Sequence, residues 1–86
     1  MSKIQLILEP EDNNRLQNLC GPLNNNINEI EQRFNIQINH RGNIFDFIGD
    51  KKNITIASEA VKELYVTSQK NNISIDFLHD YLQQPK

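Results

Sequence analysis

Apolar residues recur at Leu23, Ile27, Ile30 and Phe34, with spacings of four, three and four. Those positions share one face of an α-helix. Past Phe34 the period drops to two: Ile36 and Ile38 point one way, Gln37 and Asn39 the other, as in a strand. Gly21 and Pro22 stand just ahead of the helix. Gly21 suits the end of a preceding helix, because glycine tolerates the left-handed backbone found there. Pro22 blocks its continuation. Asn24 or Asn25 is expected to cap the new helix with a side-chain oxygen.

The same pattern orders the rest of the chain. Lys3–Leu8, rich in branched residues, predicts a first strand. Glu9-Pro10-Glu11-Asp12 ends it and opens a helix, with Pro10 expected in the first turn. Leu16, Leu19 and Cys20 form the apolar stripe of that helix, and Gly21 closes it. The strand Ile36–His40 follows the central helix. His40-Arg41-Gly42-Asn43 predicts a hairpin turn into a strand Ile44–Ile48, with Phe45 and Phe47 on one face. Gly49–Asn53 predicts a second turn. A long helix is expected from about Asn53 to about Gln69, with Ile54, Ala57, Val61, Leu64, Tyr65 and Ser68 on one side. Lys70-Asn71-Asn72 breaks it. Ser74 caps a last helix, Ile73 and Leu78 form a hydrophobic staple across its start, and Phe77, Leu78, Tyr81 and Leu82 are its apolar side. The order β-α-α-β-β-α plus one helix predicts an α+β fold. Its three strands form one antiparallel sheet with the helices on one face. Residues 1–86 read as one domain.

Composition narrows the function classes. The formal charge is −2, so no general attraction to polyanions is expected. The single Cys20 excludes an internal disulfide and a multi-cysteine zinc site. No apolar run approaches the ~20 residues of a membrane span, and no signal-peptide pattern opens the chain, so a cytoplasmic setting without membrane contact is expected. No catalytic constellation stands out. His40 and His79 read as ordinary surface imidazoles, Cys20 as a buried structural thiol, Asp46 as the solvent side of its strand, and Lys51-Lys52 as a solvated turn. The chain therefore reads as non-enzymatic, with no cofactor or metal of its own.

The spacing Gly21-x-x-x-x-x-Ile27-x-x-Ile30, followed by a strand through Ile38, resembles the K-homology (KH) domain in its type I order. Ile48-Gly49 with Ile54 and Ala57 resembles the family's last strand and helix. Asn24 stands where that family's Gly-x-x-Gly loop has its second glycine, and Pro22 lies inside the loop. Leu8-Glu9-Pro10, Asn13-Asn14-Arg15-Leu16, Leu19-Cys20-Gly21-Pro22, Asn26-Ile27, Glu31, Ile36-Gln37-Ile38-Asn39, Arg41 and Leu64-Tyr65-Val66 resemble the amino-terminal KH-like domain of PhoH-like proteins. Those are bacterial cytoplasmic P-loop ATPases associated with RNA metabolism. The resemblance implies ATP and Mg only for the ATPase domain that follows in the family. No Gly-x-x-x-x-Gly-Lys-Ser/Thr occurs here, so the chain reads as the excised amino-terminal domain. The resemblance also implies an RNA-binding surface at Gly21, Pro22, Leu23, Asn24, Asn25, Asn28, Ile38 and Arg41, for single-stranded RNA held weakly and with a steep salt dependence. The ATPase domain of the same protein and a ribonuclease or assembly partner are the other implied partners. A second expectation is a protein-interaction or assembly domain that keeps the fold without binding nucleic acid.

Overall fold

The computed structural model describes residues 1–69 and 73–83. A three-stranded antiparallel sheet runs in the order β1-β3-β2, with β1 at Ser2–Ile7, β2 at Gln37–Arg41 and β3 at Ile44–Gly49. Alternation decides its two faces. Register places Ile4, Phe47 and Ile38 in one row, and Leu6, Phe45 and His40 in the next. These rows face the helices, and Phe45 and Phe47 are fully buried, each contributing about 1.5–3 kcal/mol of transfer free energy. The opposite face carries Lys3, Gln5, Asp46 and Asn39, with Gln5 Nε2 donating to Asp46 Oδ1 at 3.1 Å. β2 and β3 join through the two-residue turn Gly42-Asn43, where Gly42 has φ 56. The side chain of Asn43 reaches across to donate to Leu8 O at 2.9 Å.

The longest helix, α3 at Lys51–Thr67, crosses β1 and β3. Ile54, Ala57, Val61, Leu64 and Tyr65 are buried along it, and Ser68 just past its end is buried too, as their spacing predicts. It starts two residues earlier than the pattern suggests. Asp50 is its N-cap residue and accepts from Ile54 N, so Lys51 and Lys52 lie in a first helical turn, not in a loop. Asn53, expected in the loop, instead donates its amide to Phe34 O at 3.0 Å.

α1 at Asn13–Cys20 is capped by Asp12, whose Oδ1 accepts from Asn14 N at 2.9 Å and Arg15 N at 3.3 Å. Pro10 therefore precedes the cap and is not in the first turn; its bond to Glu9 is cis. Leu16, Leu19 and Cys20 are buried as expected. So is Arg15, whose guanidinium lies 4.2 Å over the Tyr65 ring and donates to Tyr65 O at 3.1 Å. Asn18 donates to Ser68 O at 3.0 Å. Two side chains of α1 thus satisfy carbonyls at the C-terminal end of α3, where an Arg also complements the helix dipole.

The central helix departs most from its pattern. α2 spans Asn25–Phe34, and a single 3₁₀ turn, Pro22–Asn24, precedes it. Leu23 is not on the helix: its φ is 55 and it is 92% exposed. The buried positions are Asn26, Ile27 and Ile30, with Phe34 partly buried. Asn24 is the N-cap residue, in the left-handed region, but its side chain makes no capping bond.

α4, Ile75–Gln83, opens as predicted: Ser74 Oγ accepts from Phe77 N at 3.1 Å, and Ile73 and Leu78 are both buried. Phe77 is 42% exposed, so the apolar side is narrower than the pattern suggests. Arg33 Nη2 donates to Leu82 O, His79 Nε2 lies 3.1 Å from Glu29 Oε2, and the Tyr81 hydroxyl donates to Glu63. These contacts fasten α4 to α2 and α3. The expected break at Lys70–Asn72 lies outside the described residues.

Candidate binding groove

The turn between α1 and α2 is built around one buried amide. Asn26 is 2% exposed, and its Nδ2 donates to Leu19 O at 3.0 Å and Ile73 O at 2.6 Å. A Cβ on Gly21 would stand 2.9 Å from that nitrogen, and Gly21 has φ 75. Glycine is needed there on both counts. Leu23 and Asn24 follow with φ 55 and 61, and Asn24 N donates to Gly21 O at 3.2 Å. This tight reversal pushes the Leu23 side chain into solvent.

Beside the turn lies an open groove of about 640 Å3. Asn13, Leu16, Gln17 and Cys20 of α1 form one wall, Gly21, Leu23 and Asn24 the end, and His40 of β2 with Gly42 of the hairpin the other wall. His40 is half-buried and stacked on Phe45, with ring centroids 4.8 Å apart and planes 13° from parallel. No Lys, Arg, Asp or Glu lines the groove; Glu11 stands at its rim, its Oε2 near Gly42. Burial pushes the Cys20 thiol up to about 11, so it is protonated at neutral pH and no nucleophile. The lining therefore holds three side-chain amides, two leucines, a thiol and an imidazole, and no lysine, arginine or carboxylate.

The structure brings together Gly21, Leu23 and Asn24 from the residues singled out by sequence. Pro22 turns to a second depression of about 530 Å3, shared with Gln17, Asn18, Gly21, Ile73 and Ser74. Asn25 and Asn28 are exposed on α2 and line neither depression. Ile38 is 6% exposed and belongs to the core, so it offers a ligand no surface. Arg41 projects on the opposite face of the sheet from His40, beside Asn39, Ile44 and Asp46. The sequence pattern does not single out Asn13, Gln17 or Gly42 as site residues, and in it His40 reads as an ordinary surface imidazole. Asn13 and Gln17 stand four apart on α1, flanking the Leu16–Cys20 stripe, and that spacing was the available signal.

Among the described residues no three His, Cys, Asp or Glu side chains gather into a group that could hold a metal ion, and no helix is long and apolar enough to cross a membrane. No family model matches the chain, and no solved structure matches it significantly.

Proposed function

We propose that the chain is a non-catalytic, KH-like module of a PhoH-like ATPase of the bacterial cytoplasm, and that it takes single-stranded RNA into this groove. One observation carries the reading: the glycine turn between two helices, the same turn that bears the family resemblance, ends a groove lined by side-chain amides. Asn and Gln side chains pair with donor–acceptor patterns on base edges, which only unstacked bases of a single strand offer fully. Leu16 and Leu23 supply apolar contact, and the imidazole of His40 a stacking surface. The start of α2, just past Asn24, favours a phosphate, although Pro22 contributes no N–H there. ATP and Mg belong, on this reading, to the attached ATPase domain, to which this module would present RNA.

A lining without Lys or Arg changes the expected salt dependence. For single strands each phosphate neutralised by a cation adds about 0.7 to the slope of log K against log salt. With no Lys or Arg in the lining, the slope is expected well below 1, not steep. Affinity is expected near ~10⁻⁵ M, in the range of weak non-specific contacts.

The test is a titration of labelled single-stranded RNA at two salt concentrations, on wild type and on the double variant Pro22→Lys, Asn24→Gly. The variant restores a backbone donor and adds a cation at residue 22, on the flank of the turn beside the second depression, and it opens the end of the groove at residue 24 while Asn13 and Gln17 keep their amides. It should bind more tightly, with a larger salt slope, and its NMR shift changes should fall on Asn13, Gln17, Gly21–Asn24 and His40. A folded variant that gains nothing, or shifts confined to α4, would sink the RNA reading. One observation favours the second reading, a protein-assembly domain: Leu23 is 92% exposed at the end of a groove without cations.

A further inference from the structure

The amide side chains of this chain fall into two groups. Asn18, Asn26, Asn43 and Asn53 each commit their amide to a backbone carbonyl of the fold. Asn13 and Gln17 do not: both are exposed, both line the groove, and neither side chain has a hydrogen-bond partner among the described residues. They stand four apart on α1, so their Cβ atoms lie about 5–6 Å from each other on one helix face. Two free amides thus flank one another on a single wall.

The opposite wall fixes how a planar ligand would lie. His40 is the register partner of Phe45 across β2 and β3, and the two rings are stacked. Their pile therefore runs across the strands. β2 is an edge strand, so the other face of the imidazole looks outward past that edge. A planar base laid on that face extends the pile and turns its edge, not its face, to α1.

We propose that the groove, on the reading of it as an RNA site, selects adenine: the base stacks on His40 while Asn13 and Gln17 hold its two hydrogen-bonding edges. A side-chain amide carries one acceptor beside two N–H donors. It therefore makes a pair of hydrogen bonds wherever a base shows an acceptor beside a donor. Adenine shows that pattern twice, at N7 with one hydrogen of N6 and at N1 with the other, so both amides are satisfied together. Cytosine shows it once, at N3 and N4. Uracil has a single N–H, at N3, which serves one amide only. Guanine shows it at O6 and N1, while its second pair, N2 and N3, lies against its own ribose. The N7 and O6 acceptors of guanine call for Arg or Lys, and neither lines the groove. Stacking tolerates any base, so His40 adds affinity for all four and the amides make the choice.

The experiment titrates the protein with labelled uridine hexamers carrying AA, CC, GG or UU at the centre. The AA hexamer is expected to bind at least about fivefold tighter than the other three. Gln17→Ala, at an exposed helical position, should bring AA down to the level of CC with the melting curve unchanged. Should Gln17→Ala fail to fold, Asn13→Ala is expected to give the same loss. The variant Pro22→Lys, Asn24→Gly keeps both amides, so it should leave the ratio of AA to CC where it was. Equal binding of the four hexamers, or a Gln17→Ala variant that weakens all of them alike, overturns adenine selection and leaves the RNA reading standing. Adenosine monophosphate that competes at the affinity of the AA hexamer, and is weakened by Gln17→Ala, would uphold adenine selection and overturn the RNA reading in favour of a free nucleotide. No saturable binding of any of these up to about 1 mM overturns both.

Discussion

Replacing Asn26 by Ala should remove a large share of the stability of the fold. The Asn26 amide is the donor to two carbonyls, Leu19 O and Ile73 O, which come from the end of α1 and the start of α4. The side chain is 2% exposed, so water does not reach the site to replace it. Leaving a buried acceptor unpaired costs about 1–3 kcal/mol, so two cost roughly 2–6 kcal/mol. A chain of 86 residues has a total stability of about 4–13 kcal/mol. Urea denaturation followed by far-UV circular dichroism reads the change as a fall in midpoint with the slope unchanged. Asn26→Asp separates lost donors from lost volume. It keeps the shape but sets a carboxylate against two carbonyl oxygens at neutral pH, and is expected to be worse than Ala. A loss under about 0.5 kcal/mol for Ala, or an Asp variant no worse than Ala, would refute the reasoning.

Ile27→Asp places an unpaired charge at a position 2% exposed beside Ile30, and the cooperative thermal transition should disappear; a melt near wild type would show that this helix face is not core. Burial raises the Cys20 thiol from 9.0 to about 11, so the folded state holds the proton more firmly than the unfolded one. Its contribution is intact below pH 9 and is lost as pH rises toward 11. Midpoints measured across that window should fall further for wild type than for Cys20→Ala, and a thiol reagent at pH 8 should react only as the chain unfolds; fast labelling of folded protein would contradict this. Ser74→Ala removes the acceptor for Phe77 N and should cost about 1 kcal/mol in urea melts, with no loss at all excluding the cap.

Periodicity marks the three strands and four α-helices of the described residues but not the 3₁₀ turn Pro22–Asn24, because burial on one face imposes its period on sequence directly. Ile54, Ala57, Val61, Leu64 and Tyr65 are legible for that reason. Leu23 was misleading because an apolar residue in helical register costs little when exposed, and the turn geometry at Gly21–Asn24 overrides the register. Asn26 and Arg15 were invisible as interior residues, since polar side chains read as surface. Each is buried only because a distant segment presents carbonyls: Ile73 O to Asn26, Tyr65 O to Arg15. Of the groove, its closed end could be read from Gly21 and Asn24. The wall from His40 and Gly42 could not, because it depends on how the β2–β3 hairpin packs against α1.

The strand order β1-β3-β2 puts the last strand of the chain at the centre of the sheet. β2 and β3 close through a two-residue turn, a local event on the scale of about 1–10 μs. Ile7, in contrast, finds its partner Ile44 only after both intervening helices and β2 have been passed. That pairing carries the loop-closure entropy of the whole amino-terminal half. On a ribosome, β1 emerges well before its partner and has no sheet to join until β3 has followed it out. A nascent chain thus exposes Ile4, Leu6 and Leu8 from their own synthesis until Ile44–Gly49 have been made, the interval in which this sheet depends most on being shielded from other chains.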